Sequence, residues 1–315
     1  MSNVKRPLVT IPDLQHIAVL SLASVSAFIL PSRFWHPWCL AIAVIMIKFR
    51  RQILALGAVR LEKVLGTDND KIAEKIVTRS LSLQIEARVQ YLRHYLPVKW
   101  HPQITVVGKQ NIKAALSRGR GVILWVNLSN CSSLITKMAL HQLGYDLIHL
   151  SRPGHGTGSI SQIGIGLLNP IFTRVELRYL RERVILDDRS SKPALAKLRN
   201  ALANNEVISI TVGDAGARTT TVPFLQGQLR VATGVPHLAF TSGASLLPVF
   251  SIQTGCSRFE VRIGEQLKIM KSEEQGKEYD GAILELANSL GKILCEDPAQ
   301  FYSLMSGATQ SMLIL

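Results

Sequence analysis

Cysteine is scarce in this chain and carries no pairing pattern. Cys39, Cys131, Cys256 and Cys295 form no Cys-x-x-Cys. That excludes the common zinc-site spacings and a disulfide framework, and no metal site is expected. A reducing, cytoplasm-facing body is the simple reading. Acidic residues are also few, 22 against 36 Lys and Arg, for a net charge of +14. Such an excess implies an anionic partner: a lipid surface, a phosphate-bearing substrate or nucleic acid. The basic residues are scattered, with no long run and no interleaved aromatic series, which argues against nucleic acid. There are no internal repeats. No uncharged run is long enough by itself to cross about 30 Å of hydrocarbon at about 1.5 Å per residue. No small-residue cleavage site follows the first apolar run, so a signal peptide is not expected.

What is present is apolar and structured. Hydrophobic residues make up 47% of the 315 positions and charged residues 18%, which argues against disorder and for a large core. Residues 17–30 carry no charge and are preceded by Lys5 and Arg6. Residues 31–38, with Pro31, Arg33, Trp35, His36 and Trp38, interrupt before a second apolar run at 39–47, which Lys48, Arg50 and Arg51 close. Three arrangements fit. One is a single kinked membrane span. Another is a pair of short helices lying in one leaflet with Trp35 and Trp38 at headgroup level. The third is a buried soluble hairpin.

Residues 52–96 show helical spacing, interrupted by a turn at 66–70. Beyond Pro97, strand and helix patterns alternate, which predicts an α/β fold with a mostly parallel sheet flanked by helices and a hydrophobic helical N-terminal region. The densest stretch is 119–133. Val122 to Val126 is a continuous apolar run entered from a glycine turn, as in a strand buried on both faces. A polar stretch at 127–133 follows, then a helical pattern. Strand, polar turn and helix is where α/β proteins place chemistry. The glycine-rich segment 154–158 lacks the spacing and the following helix of a dinucleotide fingerprint and reads as a flexible loop.

The 119–133 stretch resembles the lauroyl/myristoyl acyltransferases of lipid A biosynthesis, whose motif strand ends in His-x-x-x-x-Asp/Glu. Here the slot reads Asn127-Leu-Ser-Asn130-Cys-Ser132. The resemblance continues through Gly213-Asp-Ala-Gly-Ala-Arg218, the Thr221-Val-Pro-Phe-Leu-Gln-Gly227 segment, Thr233-Gly234, the run 238–250, and Pro298-Ala-Gln-Phe301. It implies an acyltransferase-like domain at 52–305, a membrane-binding segment at 1–51 and a tail at 306–315. It also implies acyl transfer at the cytoplasmic face of the inner membrane, with an acyl-carrier-protein or coenzyme A thioester as donor and a lipid or amine as acceptor. Asn127 and Ser132 occupy the positions of the family's catalytic histidine and acid. Asn130, Arg152, Asp214 and Arg218 fall at substrate-binding places.

Chemically the two substitutions matter. An asparagine amide does not take a proton near neutral pH, and a serine hydroxyl cannot support an imidazolium. Asn127 would serve an amine acceptor by holding it or a developing oxyanion. The alternative is a catalytically inactive relative that binds lipid or acyl chains, or acts as a partner subunit, with 127–132 a polar turn capping a helix. His141 and Asp146 repeat the motif's spacing, but late in a helix broken at Gly144. Cys131 sits at a helix N-terminus, where a thiolate is stabilised.

Overall fold

A computed structural model describes residues 6–49, 57, 59, 61–66, 70–97, 100–186, 190–270, 279–301 and 312–314. Two apolar helices, α1 (Ile11–Ile29) and α2 (Trp35–Phe49), are joined by a 3-10 turn at Ser32–Phe34. The long α3 (Asp70–Arg93) follows. Half of the helix expected at 52–65, and three residues of the turn expected before Asp70, lie outside the described residues.

The α/β body follows. It runs β1 (Gln103–Val107), α4 (Lys109–Leu116), β2 (Val122–Val126), α5 (Ser132–Gln142), β3 (Ile148–Ser151), α6 (Asn169–Glu176), β4 (Glu182–Ile185), α7 (Lys192–Ala203) and β5 (Val207–Thr211). Next come β6 (Thr219–Phe224), β7 (Gly227–Ala232), α8 (Gly234–Ser242), β8 (Ser245–Gly255), β9 (Arg258–Ile263), α9 (Asp280–Glu296) and the short β10 (Leu313–Ile314). Seven strands form the main sheet in the order β1-β9-β8-β2-β5-β3-β4. Every pairing is parallel except β8 with β9, which are joined by a tight hairpin. The fold is therefore α/β with a mostly parallel sheet flanked by helices, as the alternating pattern predicts.

β2 lies at the centre, and its five residues are all buried. Their alternation sorts them between two core layers. Ile123 and Trp125 pack with α7, α8 and α9, whereas Val122, Leu124 and Val126 pack with α1 to α6. The strand is entered through Gly121 at φ +70°, where a Cβ would stand 2.8 Å from the Leu202 carbonyl oxygen. The backbone crosses the end of α7 there with no room for a side chain.

The Val-Pro-Phe segment forms β6 of an antiparallel sheet, order β10-β7-β6, that was not legible as strands. Pro223 sits in β6 on the edge of this sheet, where a missing N–H costs no ladder bond. Residues 312–314 of the expected tail close the other edge, with Arg230 donating from its backbone N–H to the Met312 carbonyl.

α1 is fastened to the body along its length. Asp13 is fully buried and accepts from the Thr10 backbone N–H and hydroxyl. Hydrogen bonds from Ser159, Thr10 and Ser161 hold its carboxyl far below the usual range. The backbone N–H groups of Gln162 and Ile163 donate to the Pro7 and Leu8 carbonyls, and Arg93 of α3 donates to the Ala27 carbonyl at 2.9 Å. Trp38 of α2 donates to the Ser26 hydroxyl at 2.7 Å, tying the two apolar helices together.

Gly121→Ala combines a positive φ with a backbone clash and should destabilise by more than about 1 kcal/mol. Urea denaturation would measure it. An unchanged midpoint would mean that α7 yields at no cost.

Candidate functional site

A cavity of about 290 Å³ opens on the α1–α6 side of the sheet, beyond the carboxyl end of β2. α3 lines it with Gln84, Arg88, Gln90 and Tyr91, and the turn after β2 with Asn130 and Cys131. The first turn of α5 adds Ser133 and Leu134, and α6 adds Phe172 and Glu176. His155 to Thr157 and His16 of α1 complete the wall.

Its rigid part is built on one carboxylate. Glu176 is 1% exposed, and both of its oxygens are occupied. Tyr91 donates to Oε1 at 2.6 Å, Lys137 donates to Oε2 at 2.7 Å, and His155 places Nε2 at 2.8 Å from Oε2. Burial alone would push this carboxyl up. The charge of Lys137, with His155 and the hydrogen bonds, outweighs burial and holds it far below the ordinary range. Burial likewise pulls Lys137 down, and Glu176 restores part of its basicity. His149, in ring contact with His155, is driven well down by burial and the Lys137 charge, and shares a 2.8 Å hydrogen bond with Ser209.

The 154–158 segment is pinned rather than loose. The backbone N–H and hydroxyl of Thr157 both donate to Asn169 Oδ1, at 2.9 and 2.6 Å. Its glycines serve the turn: Gly156 has φ +122° and packs on the Asn169 backbone.

The residues singled out from the sequence fall in two places. Asn127, Asn130 and Ser132 share the turn after β2. Asn127 is fully buried and does not line the cavity. The alternation of β2, continued one residue, sends it toward the Trp125 face. Its Nδ2 donates to the Val249 carbonyl at 3.4 Å, and its Oδ1 has no partner among the described residues. Ser132 donates to the Ser129 carbonyl and accepts from the Ser129 N–H, closing the turn before α5. Asn130 lines the cavity while donating to the Ala299 carbonyl at 3.1 Å.

Arg152, after β3, donates to the Ala215 carbonyl, so it meets the loop that carries Asp214 and Arg218. Asp214 accepts from Arg230 at 3.4 Å, and Arg218 is exposed. None of these three reaches the cavity wall. Cys131 is buried and its thiol is pushed up to about 12 by burial, so it is no thiolate nucleophile near neutrality. His141 lies exposed at the end of α5, in contact with Tyr179.

No protein-family model matches the chain, and no curated protein matches it.

Lys137, Glu176, Tyr91, Arg88 and Gln90 were not found by sequence reasoning. One signal was available. Lys137 lies between Ile135 and Met138 on a helix whose residues 134–140 are all buried, and a buried lysine demands an acid. Nothing in the sequence names Glu176 as that acid.

Glu176→Gln leaves the Lys137 ammonium buried without a counter-charge and should cost about 3–5 kcal/mol, most of it recovered by adding Lys137→Met. The folded-state value of Glu176 is depressed. Its stabilisation is therefore complete above the ordinary glutamate range, about 4.3, and is lost as pH falls below it. Urea melts from neutral to acid pH should show a steeper loss in the wild type than in the double variant.

Proposed function

We infer that the chain sits on a lipid surface through the open faces of α1 and α2 and binds an acyl lipid there, on an acyltransferase-type frame that does not use the frame's proton-relay positions as a relay. One observation carries the surface. α1 is long and apolar enough to cross a membrane, yet only 28% of its apolar window is buried, unlike a core helix. Leu14, Leu22, Val25 and Phe28 point away from the body at helical spacing, and Ile45 and Phe49 do so on α2. Arg33 and Lys48 lie at the ends of α2, where cations meet anionic headgroups. Because α1 is fastened to α3 and to residues 159–163, a helix pair lying in one leaflet fits better than a free span. The burial of Asn127 and the use of Ser132 in a turn support the non-catalytic form of the reading.

Acyl transfer from an acyl-carrier-protein or coenzyme A thioester stands as a second reading, favoured by His155. This imidazole lines the cavity and is oriented by Glu176, an arrangement suited to a base and its supporting acid. The cytoplasmic face of the inner membrane suits both readings.

Val25→Asp with Phe28→Asp should reduce cosedimentation with phosphatidylglycerol vesicles by at least tenfold while leaving folding intact. Each lost side chain is worth about 1.5–3 kcal/mol of burial, and tenfold needs about 1.4. Equal sedimentation would exclude this face. Incubation with acyl thioesters followed by mass spectrometry separates the two readings. Acyl product that disappears in His155→Gln but persists in Ser132→Ala selects transfer; retained lipid binding without product selects binding alone.

A further inference from the structure

The cavity carries a surplus of hydrogen-bond donors over acceptors. Gln90 is 2% exposed, and its Nε2 has no partner among the described residues. A buried amide left in this state is costly unless something supplies an acceptor. Arg88 lines the same cavity and donates to the Gln84 carbonyl at 2.8 Å. Among the described residues no carboxylate pairs with it, and burial lowers its basicity without a compensating charge. The first turn of α5, eleven residues long, faces the cavity with Ser133 and Leu134. Neither backbone N–H makes a hydrogen bond within the described residues, whereas those of Ser132 and Ile135 are satisfied at Ser129 and Cys131. The one acid in the wall, Glu176, has both oxygens occupied and its charge matched by Lys137.

The geometry points to an anion site: the cavity binds a phosphate-type oxyanion, with Arg88 as counter-charge, the α5 N-terminus as the second contact and the Gln90 amide, which reaches the wall, turning its Nε2 to the ligand. A guanidinium fork, an amide NH₂ and two helix N–H groups offer more donors than the two oxygens of a carboxylate use, and they suit the three or more of a phosphate. The volume accommodates the phosphate with a small esterified group. The same chemistry comes from a phospholipid headgroup or from a free phosphate ester. The site rests on the cavity and not on the membrane-docking face.

The test compares the wild type, Arg88→Met and Gln90→Leu as full chains in detergent. Inorganic phosphate and glycerol 3-phosphate are titrated by calorimetry and by thermal unfolding, with chloride at equal ionic strength as control. Vesicles of phosphatidylcholine, with and without phosphatidic acid, form the lipid arm. Phosphate should raise the wild-type unfolding midpoint through mass action, and both variants should bind at least tenfold more weakly. Without ligand, Gln90→Leu should unfold at a higher temperature than the wild type, because it removes an unsatisfied buried donor; a merely structural glutamine would give the opposite shift.

Variant-sensitive binding in solution identifies a soluble phosphate ester. Variant-sensitive binding in the phosphatidic acid arm alone identifies a headgroup. Phosphate effects equal in the wild type and both variants, or absent from every arm, overturn the site. The Val25→Asp, Phe28→Asp pair should lose vesicles yet keep the solution response, which separates a failure of docking from a failure of this site.

Discussion

The ionised carboxylate of Glu176 holds the walls of the cavity together. It stands on α6 and is gripped from α3 by Tyr91, from α5 by Lys137 and from the pinned 154–158 turn by His155. Desolvation opposes every charge in this cluster, and a single buried ion pair is often no better than a hydrophobic substitute. The cluster does fix relative position. Four segments far apart in sequence meet at one group, and the cavity is the space they leave between them.

Electrostatics inside that space follow from the same arrangement. Because Lys137 neutralises Glu176, Arg88 remains as uncompensated positive charge beside an amide with a spare donor. The protein holds polar groups there in an unfavourable state, a pattern more typical of ligand sites than of structural cores. The wall is completed by α1, which lines it with His16 while Leu14, Leu22, Val25 and Phe28 are exposed. One helix thus borders both the donor-lined cavity and the apolar surface. A lipid held by its headgroup in the cavity would find hydrocarbon on the other side of the same helix.

The turn after β2 links a fully buried strand to a helix whose first turn borders the cavity. The strand, the turn and the helix are all present, with the turn anchored by Asn130 on residues 299 and 300 and by Ser129 on Ser251. Asn127 points into the core, and Ser132 is spent on the turn itself. The cavity takes polar groups from the turn and α5 through Asn130 and Ser133, and the rest from α1, α3, α6 and the loop after β3.

Local pattern was enough for much of the fold. The unbroken apolar run of β2 specified a strand covered on both faces, and the alternation of strand and helix periods specified a mostly parallel sheet. Gly144 marked the end of α5. The antiparallel β6–β7–β10 sheet escaped because a proline and short polar-apolar alternation make a weak strand signal, and its third strand comes from the far end of the chain. The site escaped for a stronger reason. A buried lysine announces that it needs an acid, but which acid depends on how α5 and α6 cross. Likewise Gln90 looks like any helix glutamine until folding buries it and leaves its donor unmatched. Periodicity is written in neighbouring residues and can be read from them. The cavity, its surplus of donors and the turning of Asn127 away from it arise from contacts between residues tens of positions apart, and only the folded chain determines those.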